Sequence, residues 1–113
     1  MTVPVPERLF HVVEREVWEE ALREGGYRWS TRGVTVEDEG FVHLSTAEQV
    51  QGTLQRFYDG LDPLVVLVVD PELTEAEIRL EDGFFHSYGE LPIPSVVDVV
   101  TVPADRTALV LPT

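Results

Sequence analysis

Residues 64–69 read Leu-Val-Val-Leu-Val-Val, six apolar side chains in a row, closed by Asp70-Pro71. Successive residues of a strand point to opposite faces, so an all-apolar strand must be covered on both. The run is rich in β-branched valine, which favours a strand. It is far shorter than the roughly 20 residues that cross a bilayer. The rest of the chain must therefore supply two layers, one for each face of this strand. A length of 113 residues gives one domain, large enough for its own hydrophobic core but too small for two.

The flanking segments supply candidates for both layers. Residues 8–13 alternate as a first strand, with Leu9, His11 and Val13 on one face and Phe10 and Val12 on the other. From Glu14 to Glu24 the pattern turns helical: Val13, Val17, Ala21, Trp18 and Leu22 form an apolar stripe, and Gly25-Gly26 is a stop signal. Tyr27-Arg28-Trp29-Ser30 reads as a short extended piece, followed by an acidic loop through Gly40. Phe41-Val42-His43-Leu44 is a second strand. Ser45-x-x-Glu48 matches a capping box for a helix whose buried face is Val50, Leu54, Phe57 and Tyr58, ending near Asp59-Gly60. After the 64–69 strand, Thr74-x-x-Glu77 is a candidate cap for a short turn. Residues 78–81, 84–89 and 95–102 read as strands, and 107–111 as a closing one. Two helices in the N-terminal half and about six short strands indicate an α+β fold rather than a wound βαβ sheet.

Charge narrows the functional classes. There are 21 acidic residues against 8 basic ones, a formal charge of −13. Such a surface repels phosphate backbones, so general nucleic-acid binding is not expected. A pocket holding an Arg could still take one nucleotide. Every basic residue is Arg, which removes Schiff-base and catalytic-lysine chemistry, and the lack of Cys removes disulfides and thiolates. The opening stretch through Arg8 has no basic-then-apolar pattern, so no signal peptide or membrane association is expected, and the expected location is the cytoplasm.

The three histidines are the main chemical feature. His11, His43 and His86 each lie in a strand-like segment beside aromatic residues. For any single one, the plain reading is a core imidazole bonded to a carbonyl. Three such residues together point to a shared cleft, because burying three imidazoles without a role is costly. A zinc centre would need these histidines with carboxylates, but they lie far apart along the chain with no ligand spacing, and no metal is expected. A nucleotide or sugar-phosphate pocket suits the residues better. Imidazoles would bond ribose hydroxyls, aromatics would stack on a base, and the helix start at Ser45 and Thr46 would attract an anion. Arg56, about two and a half turns into that helix, is a further candidate for the phosphate. No nucleophile elbow, P-loop or dinucleotide glycine fingerprint is present.

The segments Leu9-Phe10-His11-Val12-Val13, "EGFVHLSTAEQV", "RFYDG", "LVVLVVD" and "FFHSYGELP" together resemble the bacterial domain-of-unknown-function family number 952, over about residues 8–102. At the level of fold that family resembles ADP-ribosyltransferases and RNA 2′-phosphotransferases, which implies a split β-sandwich around an NAD-binding cleft. By chain order the resemblance puts His11 at the position that holds the nicotinamide ribose. It puts His43 with Ser45 and Thr46 at the second element, and His86 with Tyr88 near the third, where the transferases carry a Glu or Gln. The leading expectation is a nucleotide-binding domain with NAD as its possible cofactor. In it, His43 and His86 would be catalytic if there is a reaction. The alternatives are a regulatory module whose acidic surface, the 14–24 helix above all, recognises a basic protein, and a His-ligated zinc hydrolase.

Overall fold

The structure, a computed structural model, describes residues 4–112. The apolar run forms β5 (Leu64–Val69), flanked on both sides by antiparallel partners, β1 (Leu9–Glu14) and β8 (Val96–Thr101). All six of its residues are buried. Val65, Leu67 and Val69 face one core with Leu9 and Val13, while Leu64, Val66 and Val68 face another with Phe10 and Val12. A fully buried Val or Leu contributes roughly 1.5–3 kcal/mol. This strand alone therefore buries surface comparable to the net stability of a small domain, about 5–15 kcal/mol.

The first core is closed by α1 (Arg15–Glu24), through Trp18 and Ala21, and by a second sheet. That sheet has the order β4 (Val42–Leu44), β7 (Phe84–Ser87), β6 (Ile78–Glu81), all antiparallel. Its inward residues Val42, Leu44 and Phe85 pack with β1 and β5. The second core is closed by α3 (Val50–Phe57), through Val50 and Leu54, together with Tyr58. The two sheets meet at one bridge, where Phe10 and Ser45 exchange backbone hydrogen bonds of 2.8 and 2.7 Å. A hairpin, β2 (Trp29–Thr31) with β3 (Val34–Thr35), and a single turn of helix, α2 (Val36–Glu39), fill the segment before β4.

The α+β class and its two-faced central strand agree with the sequence. The described residues hold eight strands in three small sheets and three α-helices, more than the six strands and two helices expected. The additions are short: the β2–β3 hairpin, and α2, which replaces the acidic loop because Thr35 caps it by accepting from the Asp38 N–H. The expected box on Ser45 and Glu48 is corrected. Ser45 is occupied by the bridge to Phe10, and the turn begins one residue later, where the Thr46 N–H donates to Gln49 Oε1 at 2.9 Å. Thr74 ends a turn instead of starting one, donating its hydroxyl to Pro71 O at 3.0 Å. Residues 107–111 form no strand. Arg106–Ala108 is a 3-10 turn, and Leu109 and Leu111 pack on the second core.

Candidate functional site

His43 and His86 are register partners across the β4–β7 pair. Their neighbours Val42, Leu44 and Phe85 point into the core, so alternation turns the two imidazoles to the opposite face. Their ring centroids are 5.1 Å apart and nearly perpendicular. Phe41 completes the group, stacked on His86 at 3.9 Å with an interplanar angle of 11° and meeting His43 edge-on at 4.9 Å.

The two histidines differ in their surroundings. His86 is 5% exposed, and its Nδ1 lies 3.0 Å from Glu81 Oε1. A carboxylate only accepts, so Nδ1 carries the proton. The Tyr88 hydroxyl donates to the same oxygen. Those two bonds, Tyr88 first, hold the Glu81 carboxyl below its usual range. Glu81 reaches His86 because β6 and β7 are joined by the two-residue turn Asp82-Gly83, both at positive φ. This is the backbone that an Asp-Gly pair accommodates. Beyond Tyr88, the Arg79 guanidinium lies 4.7 Å from its ring centroid and is also bonded to Glu77. His43 is the exposed member, with 40% of its side chain accessible and Nε2 3.6 Å from Glu39. Burial and the neighbouring His86 lower its pKa, against the opposing pull of Glu39.

His11 joins the pair from beneath. Its Nδ1 is 2.7 Å from the His43 carbonyl and its Nε2 is 2.5 Å from the Tyr27 hydroxyl. Burial drives its pKa down to about 4, so it is neutral at pH 7. Both ring nitrogens are taken up within the protein, which gives His11 the character of a core histidine.

On the other side of His43 lies a cavity of about 510 Å³, within the usual range of small-molecule clefts, roughly 300–1,000 Å³. Val12, Phe57, Tyr58 and Phe84 give it apolar and aromatic walls. Thr31, Ser45 and Thr53 add hydroxyls, and His11 and His43 line it with Arg32. The Ser45 and Thr53 hydroxyls are 3.2 Å apart. Phe57, expected in the core, is 60% exposed and forms part of the wall.

The structure therefore brings His11, His43 and Ser45 to one cavity, with His86 packed on His43 outside it and Tyr88 reached through Phe41 and Glu81. Thr46 and Arg56 are not among the lining residues. The Thr46 N–H is already bonded to Gln49, and Arg56 is exposed and lies back along its own helix beside Gly52. Arg32 is the cation at the cavity instead, fixed through Nε to Glu14 at 3.2 Å. Sequence reasoning missed Arg32 because nothing marks an Arg in a hairpin turn. It also missed Glu81, which the Asp82-Gly83 signal could have paired with Phe84 and so set diagonal to His86 on the same face. Among the described residues, no three His, Asp or Glu side chains converge as a metal site.

No curated protein sequence matches the chain. Solved structures do. The crystal structure of CC0527 from Caulobacter crescentus is 26% identical, with 87% of this chain and 88% of that chain covered and a TM-score of 0.72. A double-mutant crystal form of the same protein scores 0.73 over the same coverage. Its solution NMR structure scores 0.67, also at 26% identity, over 88% of this chain and 90% of that one. A family model described as "Protein of unknown function (DUF952)" matches residues 12–99, a stretch that contains His43 and His86 and begins just past His11, and the chain belongs to that family.

Proposed function

We propose that the cavity beside His43 binds a nucleotide-class ligand, with NAD and ADP-ribose as the reference compounds. The observation that carries this reading is the position of His43. It is a half-exposed imidazole at the boundary between the cavity and the Phe41–His86–Glu81–Tyr88 group. A nucleoside phosphate needs a flat apolar surface, hydroxyl partners and a cation. Phe57 and Phe84 offer the first, Ser45, Thr53 and His43 the second, and Arg32 the third. Arg32 supplies a cation to the cavity despite the net charge of −13, since Glu14 engages its Nε and leaves two terminal nitrogens for a phosphate. The likeness to ADP-ribosyltransferases inferred from the sequence belongs to this reading and adds a direction for chemistry. His43, with Glu39 beside Nε2, is the group placed to exchange a proton with a ligand hydroxyl. Glu81 orients His86 behind it.

The test is a titration of isotopically labelled protein with NAD, ADP-ribose and AMP to millimolar concentration, following the imidazole signals. His43 should move with saturation while His11, closed off by its two internal bonds, moves least. Three unmoved histidines would end the proposal.

A further inference from the structure

Strand β8 ends its sheet, with β5 on one side and no further strand on the other. Its hydrogen bonds show which backbone groups face outward. The Val102 N–H donates to Leu64 O at 3.0 Å, and bonded and unbonded pairs alternate along an antiparallel ladder. Val100 and Asp98, opposite Val66 and Val68, therefore turn their backbone groups to β5. Val99 and Thr101 turn theirs to the open edge, and Val97 is left unpaired by the register shift beside Val69. Asp98 is the only charged residue in Val96–Thr101; the rest are valine or threonine, a composition that favours strand pairing. Val97 and Val99 are exposed. One outward donor is nevertheless occupied: the Val99 N–H donates to Oδ1 of Asp98 at 2.8 Å.

We propose that β8 is a self-association edge held shut by Asp98, whose carboxylate occupies the donor that a second copy of this chain would use. An edge meets its own copy about a two-fold axis, so each copy offers the same groups. With that axis beside Val100, the Val99 N–H of each copy faces the Thr101 carbonyl of the other. The Thr101 N–H then faces the Val99 carbonyl, and the pairing stays clear of the irregular Val97. A partner of different sequence has no such automatic match. The Asp98 bond removes the Val99 donor from both copies at once. Its carboxylate must also give up water before a second strand can lie against it, the usual way an edge charge keeps strands apart. Asp98 does not line the cavity of His43, so the guard and the ligand site are separate.

The test follows mass and amide exchange together on the intact chain. A strand edge joins little area, and small interfaces are weak, so both are measured up to millimolar protein. The parent should stay monomeric, with Thr101 amide exchange independent of concentration. In Asp98→Val the mass should double, and protection of the Thr101 amide should rise with concentration. Asp98→Ala serves if the valine variant fails to fold. Adding Val99→Pro to either should restore the monomer, because proline has no N–H to give the second copy. Glu20→Gln removes one equally exposed charge from α1 and should stay monomeric. Asp98 variants that remain monomeric would overturn the proposal, as would a parent that already protects Thr101 with rising concentration. So would a Glu20→Gln protein that dimerises as readily, since general repulsion and not the guard would then keep the copies apart.

Discussion

The Tyr27 hydroxyl lies 2.5 Å from His11 Nε2, and His11 Nδ1 lies 2.7 Å from the His43 carbonyl. The carbonyl can only accept, so Nδ1 is the protonated nitrogen and Nε2 accepts from Tyr27. Burial raises the Tyr27 pKa well above its ordinary value, which keeps the phenol a donor. This relay ties β4 to β1 directly beneath His43.

His11 should make the protein acid-sensitive in a defined window. Its folded pKa is about 4 against an ordinary 6.5, a lowering due first to burial. Between those values the unfolded chain takes up the proton and the folded chain does not. Stability therefore falls as the pH drops through that window, by at most about 1.4 kcal/mol per pH unit, and the slope from this group fades out as the pH rises past 6.5. Urea midpoints at pH 7, 6 and 5 measure the effect. His11→Gln should flatten the dependence over this range, and a variant as acid-sensitive as the parent would show that His11 is not its source.

Tyr27→Phe leaves the cavity walls nearly unchanged but strips the acceptor Nε2 of its partner. A buried polar group left unpaired costs about 1–3 kcal/mol. Equilibrium unfolding at pH 7 should show a loss of that size. A change below about 0.5 kcal/mol, the ordinary range of a neutral substitution, would mean that the hydroxyl bond contributes little.

Much of this arrangement is legible in the sequence. The unbroken apolar run required two layers, and Gly25 at φ 82 ends α1 where the Gly-Gly signal placed the stop. The strand expected at Phe41-Val42-His43-Leu44 is β4 with Phe41 just before it. What the sequence could not yield were features decided by tertiary contact. Ser45 looks like a cap because its side chain suits one, but its backbone is bridged to Phe10, and that bond displaces the cap to Thr46. His11 reads like its two counterparts until Tyr27 closes its second nitrogen. Arg32 and Arg56 cannot be told apart by type, and only the fold of the β2–β3 hairpin brings the former to the cavity.

Leu67 and Val99 face each other across the β5–β8 pair, yet their environments differ. Leu67 is fully buried, whereas Val99 is 37% exposed on the outer strand. Leu67→Ala should cost about 2–5 kcal/mol, the range for a buried leucine that leaves a cavity. Val99→Ala should cost under about 1 kcal/mol, since exposed substitutions have small effects. Paired chemical denaturation curves decide it, and equal losses would contradict a central strand covered on both faces.

Glu81→Ala should alter His86 without unfolding the sheet. In the parent, the carboxylate holds the imidazole as the Nδ1–H form, leaving Nε2 as a base. Long-range ¹H–¹⁵N correlations at pH 8 report which ring nitrogen is protonated. The variant should lose the Nδ1–H preference and show a broadened His86 ring signal. Tyr88→Phe gives the companion result: the Glu81 carboxyl should titrate at higher pH, because the hydroxyl bond is the first cause of its lowering. A His86 tautomer unchanged in Glu81→Ala would remove Glu81 from the orienting role.

Arg32 and Arg56 provide the sharpest contrast for ligand binding. Both are exposed arginines, so their removal changes net charge equally, and any difference between them reflects position. Arg32 lines the cavity and is held by Glu14, whereas Arg56 lies along its own helix. A hydrogen bond to a charged group is worth roughly 1.5–3 kcal/mol, so Arg32→Ala should weaken ADP-ribose binding by about tenfold or more. Arg56→Ala should change it by no more than the small, salt-screened effect of one distant charge. Calorimetric titrations at two salt concentrations separate the cases. The Arg32 loss should persist at high salt as a lost contact does, and equal losses that vanish together on adding salt would reduce Arg32 to part of the general field.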